Sequence, residues 1–217
     1  FLVLAFNMIP IYDTRFWGNE KKYVDQCIKT KWISSQGSFV KKFENKFAEI
    51  FNQKYCLAVS NCTVALHLAL DCLNIKKGDE VICPNLTWIS PANVISLSGA
   101  KLVLIDTDQT WNLNPDLLEK KITKKTKCIM VVHAFGHPAN MNKIVRIAKK
   151  YNLKIIEDTA EAIGSKYKDR YAGTIGDVSC FSFFGNKVFT SGEGGALLFK
   201  NKKDYQNALI KRDHGIS

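Results

Sequence analysis

Residues 80–107, EVICPNLTWISPANVISLSGAKLVLIDT, decide the fold. EVICP is a short apolar run that reads as a buried strand. SPANVISLSGA follows with helical character, and KLVLIDT is a second apolar run ended by polar residues. A strand, a helix and a strand in so short a span make two parallel strands joined by a crossover. Such strands need helices over both faces of the sheet.

The same alternation runs outward in both directions. Upstream, KKFENKFAEIFNQ is amphipathic at helical spacing, CLAVS is a short strand, and TVALHLALDCLNI is a helix stopped by KKGDE. Downstream, NPDLLEKKIT opens a helix with Asn114 as N-cap and Pro115 at the first helical position. KCIMVVH is a strand, MNKIVRIAKKYN a helix, LKIIEDT a strand, and VSCFSFF and GALLFK two more. The spacing predicts an α/β fold with a mostly parallel central sheet and helices on both faces. Ligands in such sheets bind beyond the carboxyl ends of the strands. That singles out residues 60–63, 84–88, 133–137, 158–161 and 183–187.

Composition fits a globular chain: 217 residues, 46% hydrophobic and 24% charged. No apolar run reaches the eighteen or so residues of a membrane span. The opening FLVLAFNMIPIY lacks a basic leader and a small-residue cleavage site. Met8 reads as a natural start, with residues 1–7 as upstream translation. The end, KRDHGIS, reads as an interruption rather than a domain boundary. The net charge of +11 comes mostly from lysines in KKYVDQ, KKFENK, EKKITKK and KNKK. Runs of this kind on helix faces and loops are expected to be solvated. No nucleic-acid-binding signature accompanies them. The seven cysteines form no CxxC pair and sit mostly in apolar runs, as reduced, buried thiols in the cytoplasm do. No clustered set of metal ligands is present.

Four segments carry chemistry. In AVSNCTVALHLAL a strand runs through a polar turn straight into a helix, whose free amides and positive dipole end suit a phosphate. The same residues also read as a plain N-cap by Ser60 or Thr63. In LKIIEDTAEAIGS, Glu157 and Asp158 follow a strand and point to opposite faces. One can reach the cleft and hold a protonated ring nitrogen, or it can cap AEAIGS as a helix. In CFSFFGNKVFTSGEGGALLF a strand running to Gly185-Asn186 presents Lys187 before a glycine-rich turn. A lysine at a strand end in apolar surroundings suits Schiff-base chemistry, and the other reading is a surface lysine before a hairpin. In PNLTWISPA, Trp88 follows a strand, as a stacking ring for a planar cofactor or as core. Together the four supply a phosphate cup, a stacking ring, a carboxylate and a lysine, the parts pyridoxal phosphate needs.

From IPIYDTRFWGNEKKYV to the last residue, the sequence resembles the DegT/DnrJ/EryC1/StrS family of sugar-nucleotide aminotransferases. The resemblance rests on WISSQGSFVKKFE, GDEVICPNLTW, EDTAEAIGS and FSFFGNKVFTSGEGG. It implies the fold-type I, aspartate aminotransferase-like large domain, with residues 1–217 as an N-terminal segment plus that domain and a C-terminal small domain absent. It implies pyridoxal 5'-phosphate as cofactor, Lys187 as the lysine bonded to it, Asp158 at the ring nitrogen and Trp88 over the ring. Cys62 and Thr63, with the Thr63 and Ser182 hydroxyls, fall on the phosphate cup. Glu161 falls on the side of the phenolic oxygen. Cys62 stands where many relatives have glycine, which a cup built of amides accepts if its φ is negative. Some relatives have histidine in place of this lysine and are dehydratases, so Lys187 implies amino transfer. TWNLNPDLLEKKIT, VHAFGHPANM and KRDHGIS resemble the members that form GDP-linked perosamine. The implied partners are a nucleotide-linked 4-keto-6-deoxy sugar, glutamate as amino donor, and a second subunit in a homodimer.

Overall fold

The computed structural model of the chain describes residues 13–215. The FLVLAFNMIPIY segment, with its Met8 start, and the last two residues of KRDHGIS lie outside them.

A seven-stranded sheet forms the centre. Its strands are β1 (Tyr55–Val59), β2 (Glu80–Pro84), β3 (Lys101–Ile105), β4 (Thr126–Val132), β5 (Lys154–Asp158), β8 (Val178–Ser182) and β9 (Gly195–Phe199). A separate two-residue hairpin, β6 (Lys166–Tyr167) and β7 (Arg170–Tyr171), lies between β5 and β8 in sequence. The order across the sheet is β1-β9-β8-β5-β4-β2-β3. The stretch 80–107 folds as read: β2 and β3 pair in parallel, from Glu80 opposite Lys101 to Pro84 opposite Ile105. The pairs β2–β4, β4–β5 and β5–β8 are also parallel, whereas β9 runs antiparallel to both its neighbours. All strands except β9 therefore point their carboxyl ends to the same edge.

Successive strand residues feed opposite layers, as a pleated strand buried on both faces requires. Cys83, Met130 and Ile156 join one core with Leu66 and Leu70 of α3 (Cys62–Cys72) and Val94 and Ile95 of α4 (Ile89–Leu97). Their neighbours Ile82, Ile129 and Ile155 join the other, with Ile144 and Ile147 of α6 (Met141–Lys150). A third cluster packs Phe47 and Phe51, in and just after α2 (Ser38–Ile50), on Phe181 and Phe183. The Phe47 ring meets Phe181 edge-on at 5.0 Å. Removing a ring so placed costs about 3–5 kcal/mol. The lysine runs at 21–22, 41–46, 120–125 and 200–203 are exposed, as their periodicity implies.

Three features differ from the sequence expectation. The helix expected over 114–123 is a single turn, Pro115–Leu117, leading into the short α5 (Leu118–Lys121), although Asn114 does cap it by accepting from the Asp116 amide at 3.0 Å. The strand expected to reach Gly185-Asn186 stops at Ser182. Beyond it Phe183 donates to the Gly194 carbonyl, so the chain pairs with the return limb of its own loop. Two helices not anticipated flank the chain, α1 (Glu20–Thr30) and α7 (Lys202–Arg212). All seven cysteines are free and six are buried. Among the described residues no helix is long and apolar enough to cross a membrane.

Candidate active site

The carboxyl ends of β1, β2, β4, β5 and β8 open onto one cavity of about 650 Å³, within the range of small-molecule sites. All seven residues to which the family resemblance gives a role line it: Cys62, Thr63, Trp88, Asp158, Glu161, Ser182 and Lys187.

The corner below β1 is the start of α3. Its cap is Asn61, whose side chain accepts from the Val64 amide at 2.9 Å, and not Ser60 or Thr63. A carbonyl-bearing side chain at this position reaches the second or third helical amide, which fixes the turn. The Asn61 carbonyl takes the Ala65 amide. The amides of Cys62 and Thr63 precede any intrahelical acceptor. Thr63 Oγ1 is freed from capping and donates instead to Ser90 Oγ at 2.9 Å. Cys62 has no positive φ, so cysteine fits where glycine was expected. Gly195 starts β9 against this turn. A Cβ there would lie 2.5 Å from the Asn61 carbonyl carbon, so only glycine lets the strand and helix start meet. Ser182 at the end of β8 completes the corner, buried and accepting the Phe184 amide at 3.4 Å.

At the end of β5 the pleat splits the acidic pair. Asp158 faces the cavity, while Glu157 turns to the opposite layer. There Glu157 accepts from the amides of Gly173 (2.9 Å), Ile175 (2.7 Å) and Gly176 (2.5 Å) and pairs with His133 Nε2 (2.9 Å). The Ala139 amide donates to His133 Nδ1 at 3.1 Å, which places the ring proton on Nε2, aimed at Glu157. Burial by itself would raise the Glu157 pKa, but the His133 bond and these amides outweigh it and hold it below the usual carboxylate value. For Asp158 the balance reverses. Burial pushes its carboxyl up, and the Ala160 amide and the positive charge of Lys187 only partly offset that. Its recorded partners, the Ala160 amide at 3.0 Å and the Cys62 thiol at 3.9 Å, both sit on Oδ1. The helix-capping alternative is half met: Asp158 holds the following turn, but residues 160–164 form no helix. A buried carboxylate with one oxygen spare is a site for a cation.

Lys187 lies in the loop between β8 and β9, in a turn closed by its amide on the Phe184 carbonyl at 2.9 Å. Its side chain is about one-fifth exposed, and Nζ donates to Glu161 Oε1 at 3.3 Å. Glu161 Oε2 accepts from the Phe135 amide at 3.0 Å. The glutamate thus ties the lysine to the β4 end. Trp88 is 79% exposed at the start of α4, which rules out the core-packing alternative. Two further residues line the cavity: Thr87, within the 84–88 span but given no role from sequence, whose buried Oγ1 has no partner among the described residues, and Ser90, outside every span, which holds Thr63. Both lie in PNLTWISPA, where a threonine and a serine carry no signal beside the tryptophan. The arrangement offers anion-binding amides and hydroxyls, a flat ring, a carboxylate for a cation and a tethered amine.

The sequence pattern of the DegT/DnrJ/EryC1/StrS aminotransferase family matches residues 16–217. The chain is 51% identical over 210 residues to a GDP-perosamine synthase of Escherichia coli O157:H7, covering 96% of this chain and 58% of that protein. It is 47% identical to a GDP-perosamine synthase of Caulobacter vibrioides, covering 87% of this chain and 51% of that one. The chain spans about half the length of the curated relatives it matches. Among solved structures, an aminotransferase from Psychrobacter cryohalolentis superimposes with a TM-score of 0.89 at 36% identity, over 93% of this chain and 52% of that one. The E. coli GDP-4-keto-6-deoxy-D-mannose-3-dehydratase, solved with bound hydrated PLP, gives 0.90 at 29% identity, over 95% and 55%.

Proposed function

We propose that this chain, which belongs to the DegT/DnrJ/EryC1/StrS aminotransferase family, holds pyridoxal 5'-phosphate and supplies the cofactor-binding large domain of an enzyme that moves an amino group from glutamate to C4 of a nucleotide-linked 4-keto-6-deoxy sugar, GDP-linked so that the product is GDP-perosamine. The observation that carries the reading is the convergence of Lys187 and the spare oxygen of Asp158 on one cavity whose other end is the start of α3.

The groups fit the cofactor. A phosphate dianion meets the Cys62 and Thr63 amides and the Thr63 and Ser182 hydroxyls. The partnerless Thr87 hydroxyl has a donor to give in the same cavity. When bound, pyridoxal phosphate supplies an aldehyde that takes up the amino group and a ring that withdraws electrons. Asp158 holds a protonated ring nitrogen, and its burial makes that pairing the relief of its own desolvation. Trp88 gives a flat face. The Lys187 amine would anchor the cofactor and, once free, would serve as the base and acid that moves the proton. Glu161 holds Nζ at the cavity. The structural relative that is a dehydratase shares the fold, but Lys187 supports amino transfer here.

The enzyme works as a homodimer in the cytoplasm. Free cysteines suit a reducing compartment, and the exposure of Trp88 at the cavity and of Val188 and Phe189 just after Lys187 suits cover by a second subunit. Mass spectrometry of the holoenzyme with glutamate and GDP-4-keto-6-deoxymannose tests the reading. A GDP-linked aminosugar is expected. Amination of UDP- or dTDP-linked keto sugars alone would reassign the substrate, and no amination of any would refute the reaction.

A further inference from the structure

Eight non-glycine residues among those described have positive φ. Asn52, Asn74, Asn152 and His214 follow helix ends, Lys31 caps α1, and Lys168 turns the small hairpin, all ordinary places for that conformation. Trp111 (φ 64°) and Phe135 (φ 51°) remain, the two bulky apolar rings of the set. They lie far apart in sequence, yet their rings meet edge to face at 5.2 Å and 75°. Burial does not explain the strain, because Trp111 is 55% and Phe135 70% exposed. Strained, exposed, bulky side chains persist where the surroundings over-determine them, and such places cluster at ligand sites.

The surroundings do over-determine them. Asn112, 1% exposed, accepts the Ala134 amide on Oδ1 and donates through Nδ2 to the His137 carbonyl, both at 3.1 Å. One buried amide thus locks the loop after β3 to the loop after β4. The Trp111 amide is held by the Asp108 carbonyl at 3.0 Å. Phe135 lines the cavity, and its own amide bonds the carboxylate that holds Lys187. Phe135 and Lys187 therefore share both Glu161 and the cavity, and Trp111, outside the cavity lining, packs on the Phe135 ring.

We propose that Phe135, buttressed by Trp111, is the wall against which the deoxyhexose ring of the acceptor packs. The proposal rests on the amino-transfer reading above. The part of a nucleotide-linked sugar that comes nearest Lys187 is the hexose, because it carries the reacting carbon. The nucleobase lies two phosphates away. A 6-deoxyhexose presents C–H faces and a methyl group, apolar surface that an aromatic face covers.

The test is calorimetric binding to the holoenzyme of two probes, GDP and a GDP-linked 6-deoxyhexose that lacks the ketone. Phe135→Ala should weaken the sugar-bearing probe about tenfold while leaving GDP unchanged. Trp111→Ala should weaken it about threefold, since the buttress and not the wall is lost. Phe135→Tyr should restore the affinity, which separates loss of the ring from loss of the loop. Equal weakening of both probes would put the ring against the base and overturn the proposal, as would no weakening of either. Conversion of the wild-type holoenzyme by glutamate, followed by absorbance, reads the parent reaction separately. If it fails while Phe135→Ala still discriminates the probes, the reaction is wrong and the wall stands.

Discussion

Glu157 and Asp158 are consecutive residues on β5, both buried, and their carboxyl groups shift in opposite directions. On the Glu157 side the protein provides every partner: three amides and a histidine whose proton is fixed towards the carboxylate. That side is finished, and its job is to bind the 173–176 turn and the β4 end to β5. On the Asp158 side the protein provides an amide and a thiol on one oxygen and leaves the other to the cavity. The lesson is that burial does not mark a functional carboxylate. A functional one is buried without enough partners, so that its stabilisation waits for a ligand.

Substitutions at the two positions should therefore separate stability from activity. The largest effect is expected from Asp158→Asn, which keeps shape but cannot hold a protonated ring nitrogen. Turnover should fall by about 10²–10³-fold, the size of a lost preorganised electrostatic contact, with cofactor still bound. Urea unfolding of the cofactor-free variant should show no loss of stability. Near-normal turnover would mean that this carboxylate does not face the ring.

Glu157→Gln should do the reverse. Its amide nitrogen would face donors that now point at a carboxylate oxygen, leaving two of them unpaired at a cost of about 3 kcal/mol in urea unfolding. Its effect on turnover should track the fraction folded. A stable but inactive Glu157→Gln protein would break the comparison.

The pH dependence of stability sharpens it further. Glu157 has a lowered pKa when folded, so its contribution is present above the ordinary 4.5 and is lost as pH falls through the folded value. Asp158 has a raised pKa, so its contribution is present below the ordinary 3.8 and is lost as pH rises through the folded value. In cofactor-free protein the stability gap between wild type and Glu157→Gln should shrink on acidification below 4.5. The gain from Asp158→Asn should instead grow as pH rises above 3.8. The smallest effect is expected from Thr87→Val. The hydroxyl has no partner among the described residues, so stability should change by less than about 1 kcal/mol, while cofactor affinity measured by dialysis falls.

Much of this was legible in sequence because short apolar runs between helical stretches leave few alternatives. The strand ends at Ser60, Pro84, His133 and Asp158 followed from that alternation, and the cavity lies beyond them. The direction of β9 did not follow, since GALLF is equally apolar read either way. Nor did the cap, where Ser60, Asn61 and Thr63 are all good candidates and only the turn geometry selects Asn61. The extended run VSCFSFF hid the end of β8, because Phe183 is as apolar as Phe181 but pairs with its own loop. The alternation of faces made one of the two β5 carboxylates a site residue. It could not say which, because the deciding partner, His133, lies just beyond the end of a different strand, β4. Trp111 and Phe135 gave no signal, since a positive φ in an aromatic residue contradicts its propensity.

If the Asp158 cavity holds pyridoxal phosphate, Lys187 is the residue that bonds it. That bond is tested most directly by adding the cofactor, reducing with borohydride and mapping the labelled peptide. A pyridoxyl group on Lys187, in the peptide containing FSFFGNKVF, and its loss in Lys187→Ala with the fold intact, are the expected results. A label on any other lysine, or equal labelling of the Lys187→Ala protein, would contradict the account.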